Sequence, residues 1–524
     1  MYPFLRRTAR RPGAARDSWL ALASLSLLTL ILAFVLAVAL RSPLKDDIAW
    51  LLYVAHRMST GRELYVDVVE VNPPLIIWIS AIPLELAEWL DTGVQFVAIP
   101  MFLAGVLAAA WWDAGLLRRS GGVLAGRVPV FAAIGAAFLV LPAADIGQRE
   151  HLLAAAFLPY LILFAQSLED APPAVWESIA AGILAGLGCA LKPRYAGVFL
   201  VLEGLALTRG LRPWRVLPIA AGLTLAGYAG LVALVCPAYL ERAVPMALAL
   251  YGATDVPFAS LLSNSALLIM GLLVALARLF LRRRRAPHDA QMLTLVVFAA
   301  TSLGVCFVDG KDWFYHRIPA TLATALALML WAASEVKARG WRPTPALAAA
   351  VTALCLSTAT SFRQLGNEAV AALQPQATTV ERLERIIRAE HAHTYVAFSE
   401  WLALGFPVVN NTGVTWASRF DSMWALKGEV WREGFDPAAD KEWPIAKWVT
   451  HDFLAGCPDI VVVDTRETTH YIAVLSRADA AFARAWTRYR PIAAFDGLVV
   501  YRRGKSGCLD AWVAAETKPA ITTR

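Results

Sequence analysis

Long apolar stretches recur through the first two thirds of the chain, and they limit the folds that it can adopt. Each stretch has about 15 to 24 residues, and a helix needs about 20 apolar residues to cross the hydrocarbon core of a bilayer. Hydrophobic residues make up 58% of the 524 residues and charged residues only 17%, whereas soluble domains have about 45–50% apolar residues. The sequence therefore predicts a polytopic α-helical membrane protein.

The first apolar stretch is predicted to be a retained helix and not a cleaved signal peptide. It runs from Trp19 to Leu40, which is longer than the apolar core of a signal peptide, and no small-residue cleavage site follows before Lys45. The predicted apolar segments are 19–40, 73–90, 95–117, 128–144, 151–168, 177–191, 195–208, 216–236, 258–281, 291–308, 318–335 and 345–361.

Lys and Arg lie in short clusters between these segments, so the net charge of +7 indicates membrane topology and not a nucleic-acid partner. Besides the basic N-terminus, the clusters span residues 118–127, 209–215, 282–285 and 337–342. The positive-inside rule places all of them in the cytoplasm, whereas the acidic segment 169–173 is an exception among the inside loops.

Segment 73–90 decides the topology. If it crossed the bilayer, the cluster at 118–127 would lie outside. The segment also contains Pro73, Pro74, Pro83, Glu85 and Glu88, which suit a re-entrant or interfacial helix better than a lipid-facing span. We therefore predict that 73–90 does not cross, that about eleven spans remain, and that the loop 41–94 is external.

The composition changes after the last apolar segment. Short apolar runs at 394–399 and 458–464 predict buried strands, and 379–391 predicts an amphipathic helix. We therefore predict a transmembrane domain over 1–361 and an external, periplasmic α/β domain over 362–524. If that domain is periplasmic, Cys457 and Cys508 are either bridged or free.

The first external loop places two acids at the start of a helix. The sequence "LRSPLKDDIAW" carries Asp46 and Asp47, an amphipathic helix follows at about 48–59, and Gly61, Tyr65 and the Pro73-Pro74 pair come after it. Single acids near a membrane boundary are usually solvated anchors. Paired acids that are followed in the same loop by an amphipathic helix, a glycine turn and a Pro-Pro pair favour a functional site on the external face.

This ordered set resembles the first external loop of the integral-membrane GT-C glycosyltransferases, in particular the protein O-mannosyltransferases and the lipid A aminoarabinose transferases. The resemblance extends to about residue 320. It implies inverting transfer of a sugar from a polyprenyl-phosphate donor to a lipid, polysaccharide or protein acceptor, at the periplasmic face of a bacterial inner membrane. It matches Asp46 to the essential first-loop Asp and Asp47 to its acidic neighbour. Asn72 stands where the family commonly has Lys.

The chemistry of such a transfer requires a base for the acceptor hydroxyl and cations for the leaving phosphate. Carboxylates of the first loop suit the first role, and the other external loops supply the cations. By the resemblance, Lys192 at the external end of its span faces the donor phosphate. The candidates for binding the donor phosphate or sugar are Lys192, Arg194, Lys311, His316, Arg317, Asp145, Arg149, Tyr65 and Glu70.

Other interpretations remain open at this stage. Interfacial snorkelling explains Lys192 and Arg194 equally well, and structural ion pairs are an alternative for Asp145 and Arg149. A divalent metal ion is compatible with the chain, with Asp46, Asp47, Glu70, His151 and His316 as candidate ligands, although their spacing defines no site. In the C-terminal domain, Trp416, Arg419 and Trp424 are either exposed acceptor contacts or buried structural residues. The rival functions are a flippase of lipid-linked sugars and a polysaccharide polymerase or ligase.

A reporter fusion tests the predicted topology. We expect alkaline phosphatase fused after Ser120 to be inactive and a fluorescent protein at the same position to be bright, because the cluster at 118–127 is predicted to be cytoplasmic. Strong phosphatase activity there would instead make 73–90 a true span.

Overall fold

The computed structural model describes residues 14–119, 126–169, 171–281, 288–374, 378–433 and 442–504. Ser120, most of the basic cluster at 118–127, the cluster at 282–285 and Cys508 lie outside the described residues.

Each predicted apolar segment forms a helix, and the predicted amphipathic helix of the first loop is present as well. In chain order the helices are α1 (Ala14–Arg41), α2 (Asp46–Ser59), α3 (Pro74–Trp89), α4 (Gln95–Arg119), α5 (Arg127–Val140), α6 (Arg149–Ser167), α7 (Val175–Leu191), α8 (Ala196–Thr208), α9 (Val216–Val235), α10 (Val244–Leu250), α11 (Phe258–Leu281), α12 (Asp289–Asp309), α13 (Ile318–Arg339) and α14 (Pro345–Leu373).

Eight helices among the described residues are long and apolar enough to cross a membrane. They are α1, α4, α6, α9, α11, α12, α13 with the turn before it, and α14, while α5 and α7 are shorter apolar helices. The protein is therefore a multi-pass membrane protein. The count of about eleven spans stays a prediction.

Helix α3 is short for a spanning helix. Its 16 residues correspond to about 24 Å, less than the roughly 30 Å of a bilayer core. Near its end, Glu88 Oε1 lies 4.0 Å from His56 Nδ1 of the first-loop helix α2. These observations support the predicted non-crossing segment at 73–90, which remains a prediction.

Two glycines allow helices α7 and α9 to approach closely. A Cβ at Gly182 would lie 2.6 Å from the Ala220 Cβ, and one at Gly186 would lie 2.8 Å from the Ala221 carbonyl oxygen. Small residues at a spacing of four are the usual means by which membrane helices pack backbone to backbone. The end of α7, where Lys192 follows, is thereby held firmly in the bundle.

The C-terminal domain contains a five-stranded sheet flanked by helices. Helix α14 continues to Leu373, past the predicted end of its apolar segment at 361, and the domain boundary at 361 stays a prediction. The strands are β1 (Thr394–Phe398), β2 (Thr415–Trp416), β3 (Ile460–Asp464), β4 (Tyr489–Phe495) and β5 (Leu498–Arg503), and the helices are α15 (Thr379–Ala389), α16 (Val408–Thr412), α17 (Trp424–Glu433), α18 (Ile445–Gly456), α19 (Tyr471–Ala478) and α20 (Ala480–Trp486).

The sheet has the order β2-β1-β3-β5-β4. β1 is parallel to β2 and β3, whereas β5 is antiparallel to both β3 and β4. The predicted strands at 394–399 and 458–464 are thus the central neighbours β1 and β3. Cys457 is disulfide-bonded, and the other four described cysteines are free thiols.

The domain packs directly on the first loop of the membrane part. The Val69 amide donates to the Arg419 carbonyl at 2.8 Å, and Asn410 Nδ2 donates to the Ala49 carbonyl at 3.0 Å. The Gly428 backbone lies so close to Leu250 that a Cβ there would be 2.4 Å from the Leu250 carbonyl oxygen. We call the side of the helix bundle that carries these contacts the domain face.

A large apolar cavity lies at the opposite ends of the helices. Its volume is about 1130 Å³, and its lining includes the start of α12 and the end of α13. Gln291 and Lys337 are the polar side chains of that lining, and the rest is apolar apart from Trp19 and Trp341. This cavity is unsuited to an anionic sugar phosphate and is separate from the polar residues of the domain face.

Candidate active site

Asp46 and Asp47 begin helix α2, and their carboxylates have different surroundings. Asp46 Oδ1 accepts from the Asp47 amide at 3.0 Å and lies 3.7 Å from Lys45 Nζ. Asp47 Oδ2 instead accepts from Gln148 Nε2 at 3.2 Å. Burial and the adjacent Asp46 charge raise the pKa of Asp47 to about 6, against the opposing charge of Arg149. The carboxylate that faces the start of α6 is therefore that of Asp47.

Arg149 is the first residue of helix α6 and is 7% exposed. Its guanidinium lies 6.0 Å from the Tyr315 ring centre and, within the described ranges, forms no hydrogen bond and no ion pair. The first backbone NH groups of a helix also have no intrahelical partner, and the helix dipole makes that end positive. A buried, unpaired cation at a helix N-terminus is an arrangement that binds anions.

Glu70, Tyr65 and Asn72 shape the first loop by hydrogen bonds to one another. Glu70 accepts from the Trp50 indole and from the Asn72 amide, and the Tyr65 hydroxyl donates to the Asn72 carbonyl at 2.6 Å. Glu70 and Tyr65 are both buried. Burial raises the pKa of Glu70, while these hydrogen bonds and the charge of Arg149 act in the opposite direction. Both side chains hold the loop in place, since their polar atoms are already used.

One network of charged side chains joins the start of α6 to the ends of α7 and α12. Its members are Lys192, Asp309, Glu150, Arg194 and His316. Lys192 Nζ lies 2.7 Å from Glu150 Oε1 and 2.5 Å from Asp309 Oδ2. Arg194 pairs with Asp309 as well, and His316 Nε2 lies 3.5 Å from Glu150 Oε1. Because two carboxylates already neutralise Lys192 and Arg194, neither is an unpaired cation.

Lys311 and Arg317 also have acidic partners. Lys311 Nζ lies 2.5 Å from Asp255 Oδ1 and donates to the Tyr251 carbonyl at 2.7 Å. Arg317 Nη1 lies 2.5 Å from Asp312 Oδ1. Burial lowers the pKa of Lys311, and Asp255 opposes that shift. The Lys311 contacts fix the segment 310–317 against the loop that follows α10, whereas the Arg317 pair lies within that segment.

Asp145 and His151 flank the start of α6, but they differ in what they can do. Burial raises the pKa of Asp145 to about 8, and its Oδ1 has no hydrogen-bond partner in the described chain. Both ring nitrogens of His151 are used, by the Gly147 amide at 3.2 Å and the Phe138 carbonyl at 3.1 Å. His151 is therefore not free to ligate a metal ion.

The candidate metal ligands do not converge. Among the described residues, no group of three or more His, Cys, Asp or Glu side chains is placed to hold a metal ion.

Several residues of the site could not be selected from the sequence. Glu150 and Asp309 were the unrecognised partners of Lys192, and Asp421 comes from the C-terminal domain. Burial raises the pKa of Asp421 to about 7, and the charges of Glu70 and Asp47 act in the same direction. The spacing of residues within one helix cannot predict such pairs, because the two partners lie on different helices or loops.

The structure also settles the nature of three aromatic and basic candidates in the C-terminal domain. Trp416 and Trp424 are buried. Arg419 forms a two-pronged ion pair with Asp452, at 2.9 and 2.7 Å. All three are structural residues and not exposed acceptor contacts.

Comparison with known proteins agrees with this architecture. No family model and no curated protein matches the chain. Among solved structures, it is similar to that of ArnT from Cupriavidus metallidurans bound to undecaprenyl phosphate, with a TM-score of 0.53 and 14% sequence identity. The match covers 94% of this chain and 99% of that chain. The chain therefore has a GT-C-like, ArnT-like membrane fold, and the resemblance extends past residue 320 through the C-terminal domain.

The Lys192 network predicts a large stability effect. We expect Lys192→Ala to destabilise the protein by about 3–5 kcal/mol, because removal of one partner leaves buried charges unpaired. Thermal unfolding of the purified protein in detergent measures the effect.

Arg194→Ala is the matched control, since Arg194 pairs with the same Asp309 but is 53% exposed at its side chain. It should lower the melting temperature far less. Equal melting temperatures for Lys192→Ala and wild type would show that the network does not stabilise the bundle.

Proposed function

We propose that the protein is an inverting glycosyltransferase that moves a sugar from a polyprenyl-phosphate donor to an acceptor hydroxyl at the periplasmic side of a bacterial inner membrane. The acceptor is a lipid, a polysaccharide or a protein. Support comes from the charge arrangement at the domain face, together with the likeness to a structure that holds undecaprenyl phosphate.

The observation that carries the proposal is the unpaired Arg149 guanidinium. The other basic candidates Lys192, Arg194, Lys311 and Arg317 all have acidic partners. Arg149 has none in the residues that the structure describes, although it is buried at a helix N-terminus. A lipid phosphate bound there would gain charge-assisted hydrogen bonds and the helix dipole together. Arg149 thus supplies the cation that is missing where Asn72 replaces Lys.

Asp47 is the base in this proposal. Its Oδ2 is held by Gln148, the residue next to Arg149 in the chain, so the base and the phosphate-binding cation are positioned by one segment. A carboxylate with a pKa of about 6 is ionised at neutral pH and accepts a proton more readily than an ordinary aspartate. Asp46 faces Lys45 and supports Asp47 through its position at the start of α2.

The reaction is a displacement at the anomeric carbon. The acceptor oxygen forms a bond to that carbon and passes its proton to Asp47, while the bond from the anomeric carbon to the phosphate oxygen breaks. The departing polyprenyl phosphate gains one negative charge. Arg149 stabilises that charge as it develops, which lowers the barrier of the step.

Substitutions at three positions test the proposal. Purified protein is incubated with radiolabelled polyprenyl-phosphate sugars and an envelope extract, and transfer is measured. We expect Asp47→Asn to lower kcat by about 100- to 10,000-fold, as for loss of a general base. Arg149→Ala should raise the KM for the donor by about 10- to 100-fold, because hydrogen bonds to charged groups are lost.

In wild type, kcat/KM should fall as the pH drops below about 6, where Asp47 becomes protonated.

Asp46→Asn is the matched control and should keep transfer within a few-fold of wild type. Full activity in Asp47→Asn together with its loss in Asp46→Asn would assign the base to Asp46. Movement of intact donor across liposomes without sugar transfer would contradict the enzyme and favour the flippase.

A further inference from the structure

The loop 417–423, between β2 and α17, is the part of the C-terminal domain that reaches into the domain face. The Val69 amide bonds to its Arg419 carbonyl, and Phe420 bridges to Val69 in a parallel arrangement. Phe420 is fully buried. At the other end of the loop, the Trp424 ring meets the Tyr251 ring edge-on at 5.0 Å. The loop is therefore fixed between the first loop and the segment after α10.

Asp421 lies at the centre of this fixed loop, and its two carboxylate oxygens have different roles. Oδ1 accepts from the Ser422 amide at 2.6 Å and from the Trp424 indole at 2.9 Å. Oδ2 accepts no hydrogen bond from any residue that the structure describes, and it is not sealed from solvent. One oxygen thus orients the side chain, and the other remains available to a ligand.

In Asp47, which belongs to the first loop of the membrane part, one carboxylate oxygen is likewise bonded and the other is not. Its Oδ2 is held by Gln148, while its Oδ1 has no protein partner in the described segments and is not sealed from solvent. Phe420, the neighbour of Asp421, bridges to Val69, the neighbour of Glu70, and Glu70 binds Trp50, which lies about one turn after Asp47 on α2. Burial raises the pKa of Asp421, and the charges of Glu70 and Asp47 add to that shift. Trp50 and Asn72 each donate to one oxygen of Glu70. Of these three acids, Asp47 and Asp421 are the ones with a carboxylate oxygen that accepts from no described residue.

Two neighbouring carboxylates repel each other, and they are stabilised by a ligand that donates hydrogen bonds. Arg149 acts on Asp47 from the side of α6, where the donor phosphate is placed in the proposed function. Hydroxyl groups of an acceptor are donors of this kind. Tyr251, packed between Trp424 and Trp313, supplies an aromatic wall of the kind that contacts sugar rings.

We infer that the C-terminal domain forms the acceptor subsite of the transferase through Asp421, which binds a hydroxyl-rich acceptor headgroup next to the base Asp47. This inference rests on the proposed function and adds to it the part of the chain that selects the acceptor. It assigns the domain a direct contact with substrate, so Asp421 is a specificity residue and not only a loop anchor.

The test compares wild type with Asp421→Asn in the full-length protein. Asn keeps an oxygen for the Ser422 amide and the Trp424 indole but removes the charge and one accepting oxygen. The matched control is Asp496→Asn, because Asp496 is a partly exposed acid in the same domain whose positive φ of 51° also suits Asn.

Two arms are measured. In the first, transfer from radiolabelled polyprenyl-phosphate sugar is followed against the concentration of envelope extract, with donor hydrolysis in the absence of extract as a parallel readout. In the second, immobilised protein without donor is incubated with ¹⁴C-labelled envelope lipids and glycans, and the retained label is counted. The second arm measures acceptor binding without transfer, so it separates failure of this subsite from failure of the proposed reaction.

We expect Asp421→Asn to raise the apparent KM for the extract and to reduce the retained label, each by about 10- to 100-fold. The melting temperature should equal that of wild type, and Asp496→Asn should match wild type in both arms. Retention of the label by Asp421→Asn at the wild-type level overturns the inference, whatever the transfer arm shows. An equal loss of donor hydrolysis and transfer also overturns it, since Asp421 would then act on the donor or on the fold.

Discussion

Lys192 binds Glu150 and Asp309 at once, with Nζ to oxygen distances of 2.7 and 2.5 Å, and the geometry of the domain face depends on this contact. It ties the end of α7 to the start of α6 and the end of α12. Without it, two buried carboxylates would lack their shared cation, which is among the most destabilising changes that a protein interior can undergo. Because Glu150 directly follows Arg149, the same contact also fixes where Arg149 lies. In this network Lys192 and Arg194 are both paired with acids, whereas the neighbouring Arg149 forms no ion pair with a described residue.

The first loop adds the second half of the arrangement. Glu70 receives the Trp50 indole of α2 and the amide of Asn72, so one buried carboxylate holds the start of the loop and its end together. Helix α2 is thereby held with Asp47 towards Gln148. The C-terminal domain then covers this loop through Val69 and Ala49, and Glu70 is buried while Asp47 is only partly exposed. Charges in such a setting act more strongly than they would in water, and this strength is what charge stabilisation of a departing phosphate requires.

Hydropathy predicted the positions of the helices well, because the length and composition of each segment are local properties. The predicted segment 258–281, for instance, is helix α11 with the same bounds. The predicted end of the last apolar segment does not mark the end of its helix, since α14 continues past 361 to Leu373. The ion pairs between polar side chains could not be predicted from the sequence, for a physical reason. Glu150, Lys192 and Asp309 lie on three different helices, and only packing brings them together.

The choice between Asp46 and Asp47 shows the same limit at close range. Neighbouring residues of a helix point about 100° apart, so the phase of α2 decides which acid meets the partner residues. The sequence contains both acids but not that phase. Asp421 carried no signal either, because its role depends on the docking of a separate domain. The resemblance of the first loop to the GT-C glycosyltransferases did predict the correct fold, over more of the chain than the motif itself covers.

The central claim is that Arg149 at the start of α6 receives the donor phosphate. The most direct measurement is an electron cryo-microscopy structure of the protein in lipid nanodiscs with undecaprenyl phosphate. The account predicts phosphate density within about 3 Å of the Arg149 guanidinium and of the first backbone amides of α6. Phosphate density bound to Lys192 after separation of its ion pairs, or at any place remote from Arg149, would contradict it.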